Sequence, residues 1–346
     1  GTGGQMARKV KTNASGKKQR QFMTKARTAP AGLPTTSQTS STSLGDITAL
    51  FNIAQPQLPE KAEAWPYRKA VFVHGMEWLF NKELKGYSQD LQTGILSKLP
   101  SDMLELFDKN TDFVEVLWSD IVETDERRII AGLEIVGYIA SGNFPLAVKA
   151  AVNELKNNEN VPLLQPENLF GTFLSNLLPG KDLPGLSLAE NAASALLDVM
   201  LYFTQKYGEA IRQEIRRGLE KAQSEAGAPA VFAHSLGSVA IIDIIREDLA
   251  KGGPLSVGRL ITAGSPLGLF EADKGDKEGF ESLAWENYYD PKDFASPWNP
   301  LKSFGFDHVK DWSIKVEVLP ALGHLNYWKS ETTASAMLSK IFSEDK

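Results

Sequence analysis

The sequence predicts an α/β protein with a mainly parallel sheet that carries helices on both faces. Short apolar runs rich in β-branched and aromatic residues alternate with longer stretches of helical periodicity. Several runs are apolar at every position, which is typical of parallel strands buried on both sides. The predicted strands are 69–74, 113–118, 229–234, 259–263, 285–289 and 313–319.

Two helices are predicted from the spacing of apolar residues. Ile211, Ile215 and Leu219 recur every four residues with charged residues between them, so one face of this helix can cover a sheet. The second helix follows the strand at 229–234 directly and ends near a glycine pair, which commonly stops a helix. Its apolar positions are Val239, Ile242, Ile245 and Leu249.

The second and third predicted strands are separated by about 110 residues, far more than one crossover helix needs. Residues 121–195 are rich in apolar side chains but contain five prolines, and we predict that they form a helical insertion. Insertions of this length often act as lids or binding walls. The alternative is an extension that only enlarges the core.

Composition and charge restrict the classes of function. The chain has 346 residues, 42% of them hydrophobic, and no Cys, which excludes disulfides, Cys-ligated zinc and a Cys nucleophile. Residues 1–45 carry eight basic side chains and no acidic one, so the remainder is acidic, with 29 basic and 43 acidic groups. We expect a disordered basic arm at 1–45 and one α/β domain at 46–346. An acidic body does not favour binding to nucleic acid.

No transmembrane helix is predicted. The longest candidate, 135–148, is interrupted by polar residues, glycine and proline and is shorter than the roughly 18 to 20 apolar residues that a bilayer requires. No secretory segment is predicted before Leu50, so the expected location is the cytoplasm. The acid-free, Ser- and Thr-rich stretch 20–43 makes an organelle transit peptide the alternative. The oligomeric state is left open.

The strongest chemical motif is the pentapeptide Ala233-His234-Ser235-Leu236-Gly237. It lies directly between a predicted strand and a predicted helix, which places Ser235 on a sharp turn at the carboxyl end of the sheet, near a positive helix N-terminus. Such a turn requires small residues two positions before and after the serine, and Ala233 and Gly237 meet that requirement. The alternative role of Ser235 is a helix N-cap.

This motif and its surroundings resemble the α/β-hydrolase superfamily, in particular its lipase and esterase branch, over roughly residues 65–335. Some bacterial lipases carry Ala in place of the first Gly of the motif. In the family the chain order is nucleophile, acid, histidine. The segments that resemble the oxyanion loop, the G-S-P turn, the acid loop and the histidine loop are His74-Gly75-Met76, Ala263-Gly264-Ser265-Pro266, Tyr289-Asp290-Pro291-Lys292-Asp293 and Gly323-His324.

The chain has four histidines that compete for the role of base. His234 adjoins Ser235, and neighbours around a turn point in different directions. His74 lies in the oxyanion loop, where an imidazole commonly braces the loop, and His308 precedes the last strand, at the opposite end of the sheet. His324 follows the last strand in a loop flanked by glycine, at the edge where sites gather in open α/β sheets. We therefore predict His324 as the base, with an exposed loop histidine as the alternative.

Two carboxylates compete for the role of acid. Asp290 follows the strand and precedes Pro291, so its natural role is to accept hydrogen bonds from the turn backbone. Asp293 resembles the second Asp of the family's D-P-x-D arrangement, which contacts the histidine. We expect Asp293 to be the acid, while Glu271 and Asp273 are more remote alternatives.

The resemblance implies a serine hydrolase that cleaves carboxylic esters through an acyl-enzyme. The backbone N–H groups of Met76 and Leu236 would hold the oxyanion, and no metal or organic cofactor is expected. Trp78, Leu267 and Phe270 near the active face predict a small-molecule ester with an apolar acyl or alcohol group. A thioesterase, acyltransferase or peptidase would use the same residues. A non-catalytic hydrolase-fold module that binds partners is the alternative from another class.

Overall fold

The fold of the chain is described by a computed structural model. It describes residues 69–75, 86–99, 101–105, 107, 112–121, 133–157, 170–171, 174–175, 178, 186–223, 227–271, 279–293, 295–316, 324, 326–329 and 333. All of them belong to one compact unit. The basic arm predicted at 1–45 lies outside the described residues.

Six strands of the described chain form one sheet in which every neighbouring pair is parallel. They are β1 (Ala70–Val73), β2 (Phe113–Val116), β3 (Ala230–His234), β4 (Arg259–Ala263), β5 (Ala284–Tyr289) and β6 (Lys310–Ser313). Their order across the sheet is β2-β1-β3-β4-β5-β6. The strand order therefore reverses between β1 and β3, and in open parallel sheets such a reversal opens a crevice at the carboxyl ends.

The predicted class, an α/β protein with a parallel sheet and interleaved helices, is confirmed. The first five predicted strands match β1 to β5 to within two residues at each end. The sixth was predicted too late in the chain, because β6 occupies Lys310–Ser313 and 314–316 form no strand, while 317–319 lie outside the described residues. As an edge strand β6 pairs only with β5 and is largely solvent-facing, so it lacks an apolar pattern. The apolar Ile314 is buried just after the strand ends.

Helices pack on both faces of the sheet. Successive side chains of β1 point to opposite faces of the sheet. Val71 and Val73 pack with apolar residues of the helices before and after β3. Ala70 and Phe72 pack on the other face, with apolar residues of the helix that follows β1. The helices with described residues are α1 (Gln89–Leu96), α2 (Ser101–Leu104), α3 (Leu133–Ala140), α4 (Phe144–Asn157), α5 (Leu186–Tyr202), α6 (Gln205–Ala222), α7 (Leu236–Lys251) and α8 (Leu267–Glu271).

Both helices predicted from apolar spacing are present. Helix α6 begins after Thr204, whose hydroxyl accepts the N–H of Tyr207, and it buries Ile211, Ile215 and Leu219 against β1 and β2. Helix α7 ends at Gly252, which has the left-handed φ of 66° that favours glycine. These two helices pack against each other, and α7 begins directly after the Ser235 turn that ends β3.

The described part of the predicted insertion is helical. Helices α3, α4 and α5 pack against one another, and α5 also packs against α6. Their inward residues join the main hydrophobic cluster, while Leu146 on α4 is 39% exposed. The role of the insertion as a lid or binding wall stays a prediction. No helix among the described residues has the length and apolar character needed to span a membrane.

Candidate active site

Ser235 lies on the turn between β3 and α7. Its φ of 52° and ψ of −127° make it the only non-glycine residue with a positive φ in the described part of the chain. Such a conformation costs on the order of 1 to 3 kcal/mol and persists only where the surroundings enforce it. The Ser235 N–H donates to the carbonyl of Ala263 at 3.0 Å. Ser235 occupies the N-cap position of α7, as the alternative role required, but its side chain makes no capping hydrogen bond there.

Two glycines allow the strand ends to approach this turn. A Cβ on Gly75 would lie 2.8 Å from the carbonyl oxygen of His234 and 3.0 Å from Ser235 Oγ. A Cβ on Gly237 would lie 2.9 Å from the carbonyl oxygen of Val73. Nonbonded Cβ atoms rarely come this close to an oxygen atom. Both positions therefore need glycine. The requirement for a small residue two positions after the serine thus has a direct structural reason.

The structure brings the predicted nucleophile, base and acid together. His324 Nε2 lies 2.8 Å from Ser235 Oγ. His324 Nδ1 lies 2.8 Å and 2.9 Å from the two carboxylate oxygens of Asp293. All three side chains are buried. With its Nδ1 proton donated to the carboxylate, the imidazole has Nε2 oriented to take a proton from the hydroxyl.

Asp293 receives further hydrogen bonds besides that of His324. The N–H of Ala295 and the hydroxyl of Tyr327 each donate to it at 3.0 Å. These donors hold the carboxylate beside the imidazole, where a negative charge can stabilise a positive imidazolium. The structure therefore places Asp293 where the acid was expected.

The other candidate acids have different surroundings. Asp290 accepts the N–H of Lys292 at 2.8 Å and the N–H of Val316 at 2.7 Å, which is the turn-holding role expected of an aspartate before proline. The side chain of Glu271, at the end of α8, and the whole of Asp273 lie outside the described residues.

Tyr327 and Gly264 are site residues that the sequence reasoning missed or left without a role. The Tyr327 hydroxyl accepts the N–H of Asp290 at 2.8 Å. Burial, and then the negative charge of Asp293, raises the pKa of Tyr327 well above its ordinary value, so the hydroxyl keeps its proton as a donor. Gly264 has a φ of 55°, and a Cβ there would lie 2.9 Å from the Asp293 carboxylate and 3.1 Å from the His324 ring. The only sequence signal for Tyr327 was its position three residues after the predicted base.

His74 and His308 lie where the sequence placed them. The His74 ring stacks on Trp118 with centroids 4.5 Å apart, and its Nε2 accepts the Trp118 N–H at 3.2 Å. Burial lowers the pKa of His74 from 6.5 to about 4. It therefore braces the loop after β1 as a neutral ring. His308 is half exposed, with Nε2 3.6 Å from Glu281, and it precedes β6.

A chain of polar groups links the turn to the acid loop. The Ser238 hydroxyl donates to the carbonyl of Ser235 and lies 2.6 Å from the hydroxyl of Ser265. Asn299 then donates to the carbonyls of Ser265 and Ala295, both at 2.9 Å. These bonds fix the turn relative to the segment that follows the acid.

The predicted oxyanion donors are described in part. Leu236 is the first residue of α7, so its N–H is one of the four that have no acceptor within the helix, and it directly follows Ser235. Met76, the second predicted donor, and Trp78, a predicted substrate contact, lie outside the described residues.

The other predicted substrate contacts lie on α8. Leu267 is fully buried, and Phe270 packs on Phe203 with ring centroids 4.8 Å apart. Both belong to the main hydrophobic cluster. Their contact with a substrate stays a prediction.

Within the described residues, no three His, Asp or Glu side chains are grouped so that they could hold a metal ion. Comparison of the chain with family models, curated proteins and solved structures gives no match. The fold and the site together define an α/β protein with a six-stranded parallel sheet and a buried Ser–His–Asp arrangement at the carboxyl ends of its strands.

Proposed function

We propose that the protein is a serine hydrolase of the α/β-hydrolase fold that cleaves carboxylic esters. The observation that carries the proposal is the hydrogen-bonded chain from Ser235 through His324 to Asp293. Ser235 lies on the strained turn between β3 and α7. Strand β3 is next to β1, where the strand order reverses. The chain order of serine, aspartate and histidine is that of α/β-hydrolases.

The geometry supports a two-step acyl transfer. His324 Nε2 takes the proton of Ser235 as Oγ attacks the ester carbonyl carbon, and the carbonyl oxygen becomes an oxyanion. The N–H groups of Leu236 and Met76 would hold that oxyanion. His324 then gives the proton to the departing alcohol. Water, activated by the same nitrogen, releases the acid, and Asp293 stabilises the imidazolium in both steps.

The substrate proposed here is a small ester with an apolar acyl or alcohol group. Ser235 has no exposed surface, so an ester must displace the groups that cover it before attack. The buried apolar side chains of Leu267 and Phe270 support an apolar binding region over a charged one.

The proposal is tested with a fluorophosphonate probe, which forms a covalent bond only with an activated serine. We expect the full chain to be labelled and S235A and H324A not to be labelled. The exposed Ser97 provides a matched control, and S97A should label like the wild type. A folded wild type that takes no label, or an S235A variant that does, would refute the proposal.

Ester turnover provides a second measurement. Hydrolysis of p-nitrophenyl esters from acetate to palmitate would define the acyl preference. S235A and H324A should each lose several orders of magnitude in kcat, and the double variant should be little worse, because the residues act as a unit. Losses that add in the double variant would mean that one of the two is not catalytic.

A further inference from the structure

His234 immediately precedes the nucleophile, yet its ring contacts the loop of the base. Its Nε2 lies 2.7 Å from the carbonyl oxygen of His324. The two imidazole rings are 4.7 Å apart between centroids. The His234 side chain is buried. Since a carbonyl only accepts, the proton of this hydrogen bond belongs to His234 Nε2.

The ring is held in its neutral form. Burial lowers the pKa of His234 well below its ordinary value, and the hydrogen bond to the His324 carbonyl offsets that shift only in part. A neutral imidazole has a single ring proton, which here is fixed on Nε2 by the carbonyl. His234 therefore cannot give up its Nε2 proton without breaking this contact.

The contact joins the two loops that must meet for catalysis. Tyr327 and Trp328, which follow the base, also pack near the His234 ring, each with a centroid distance of 5.6 Å. Because His234 directly precedes Ser235, this hydrogen bond links the backbone of His324 to the turn that carries the nucleophile. The Ser–His hydrogen bond works only over roughly 2.6 to 3.2 Å, and a misplacement of about 1 Å can cost on the order of 10²-fold in rate.

We propose that His234 is a positioning residue that sets the distance between the base His324 and the nucleophile Ser235 through its hydrogen bond to the His324 carbonyl. This role rests on the proposed hydrolase function. A histidine that only fills the core would contribute to stability without affecting that distance.

The test compares H234Q and H234L in the full chain. Gln can place an amide N–H near the position of Nε2, whereas Leu fills similar space without a donor. We expect H234L to lose about 10²-fold in kcat with KM changed less than about threefold, as for an interaction that acts in the transition state. H234Q should recover most of kcat. As a control for lost stability, I215A in α6 should lower the unfolding temperature while kcat of the folded protein is kept.

Proton NMR provides a readout that does not depend on turnover. The His324 Nδ1 proton shared with Asp293 should resonate far downfield of the backbone amides. We expect this resonance in the wild type and in H234Q, and its loss or broadening in H234L. If the wild type hydrolysed no ester and took no fluorophosphonate, the proposed function would fail, and the resonance would still decide whether His234 positions His324.

Three results would overturn the role of His234. The first is an H234L variant that keeps both kcat and the downfield resonance. The second is an equal loss in H234Q and H234L, because the hydrogen bond would then not be the cause. The third is a kcat loss in H234L that is no larger than the kcat loss in I215A, when the two variants have equal unfolding temperatures.

Discussion

Two aspartates three positions apart illustrate how single residues divide the work of the site. Asp293 contacts His324, whereas Asp290 accepts the backbone N–H of Lys292 in its own loop and that of Val316 in the segment after β6. D293N should lower kcat by on the order of 10⁴-fold, because an amide does not hold the imidazole in the required tautomer. D290N should instead lower the free energy of unfolding by about 1 to 2 kcal/mol, with kcat within about tenfold of wild type. Steady-state kinetics and urea unfolding of both variants measure this, and a larger kcat loss in D290N would mean that the acid is Asp290.

Tyr327 donates a hydrogen bond to the proposed acid, Asp293, from the segment that carries the proposed base, His324. Y327F removes a donor to Asp293 and an acceptor for the N–H of Asp290. We expect the free energy of unfolding to fall by about 1.5 to 3 kcal/mol, the usual range for a hydrogen bond to a charged group. We also expect a smaller kcat loss than in D293N. The partly buried Tyr138, whose hydroxyl donates to Glu134 at the surface, provides the control.

Y138F should change the free energy of unfolding by less than about 0.5 kcal/mol, as is usual for surface substitutions. Urea titrations and kcat for the two Tyr→Phe variants make the comparison. Equal effects in Y327F and Y138F would show that the Tyr327 hydroxyl does not hold the acid.

At the scale of helices and strands, glycines reveal where elements approach closely. Gly218 of α6 faces β2, and a Cβ there would collide with the side chain of Val116. G218A should therefore destabilise the protein by about 1 to 3 kcal/mol through overpacking. Gly137 of α3 has nothing within 4 Å of an added Cβ. G137A should stabilise by about 0.5 to 1 kcal/mol, because alanine is the better helix former.

Thermal or urea unfolding of G218A and G137A shows whether the two substitutions change the free energy of unfolding in opposite directions. Stabilisation in both would mean that α6 does not lie as close to β2 as described. Destabilisation in both would mean that the face of α3 near Gly137 is covered.

The elements that could be predicted are those whose signal is local. The buried parallel strands are apolar at successive positions, and α6 repeats its apolar residues every four positions. The turn at Ser235 is recognisable because strand, serine and helix are contiguous. Strand β6 lacks this signal, because an edge strand has few buried side chains, and the apolar Ile314 beyond its end suggested a later position.

The details of the site depend on contacts between distant parts of the chain. Ser235 and His324 are 89 positions apart, and His234 contacts the carbonyl of His324 across 90 positions. The choice of Asp293 over Asp290 followed from resemblance to a family, and the choice of His324 as base followed from its position after the last predicted strand. The roles of His234 and Tyr327 had no such guide, because they appear only when the turns meet in space.

At the scale of the whole molecule, the site is assembled from the carboxyl ends of neighbouring strands. His74 follows β1, Ser235 follows β3, Gly264 follows β4 and Asp290 follows β5. The site therefore depends on the integrity of the whole sheet. Two neutral histidines, His74 and His234, are buried at these strand ends, so the stability of the fold depends on pH.

Stability should fall as the pH decreases from 7 to 5. Burial lowers the pKa of His74 from 6.5 to about 4, so between these values the unfolded chain binds a proton that the folded chain does not. Unfolding is therefore favoured by acid, and the loss for His74 alone is about 2 kcal/mol between pH 7 and pH 5. His234, whose pKa is also lowered by burial, adds to the loss in the same direction.

Urea unfolding at pH 7 and pH 5 measures this dependence, and two His→Gln variants assign it. H74Q should reduce the difference in unfolding free energy between the two pH values, because Gln does not titrate and can still accept the Trp118 N–H near the position of Nε2. H308Q, a substitution at a half-exposed surface histidine, is the control and should leave the difference unchanged. A wild type equally stable at both pH values would mean that His74 is protonated in the fold. A difference removed by H308Q and kept in H74Q would assign the titration to the surface histidine.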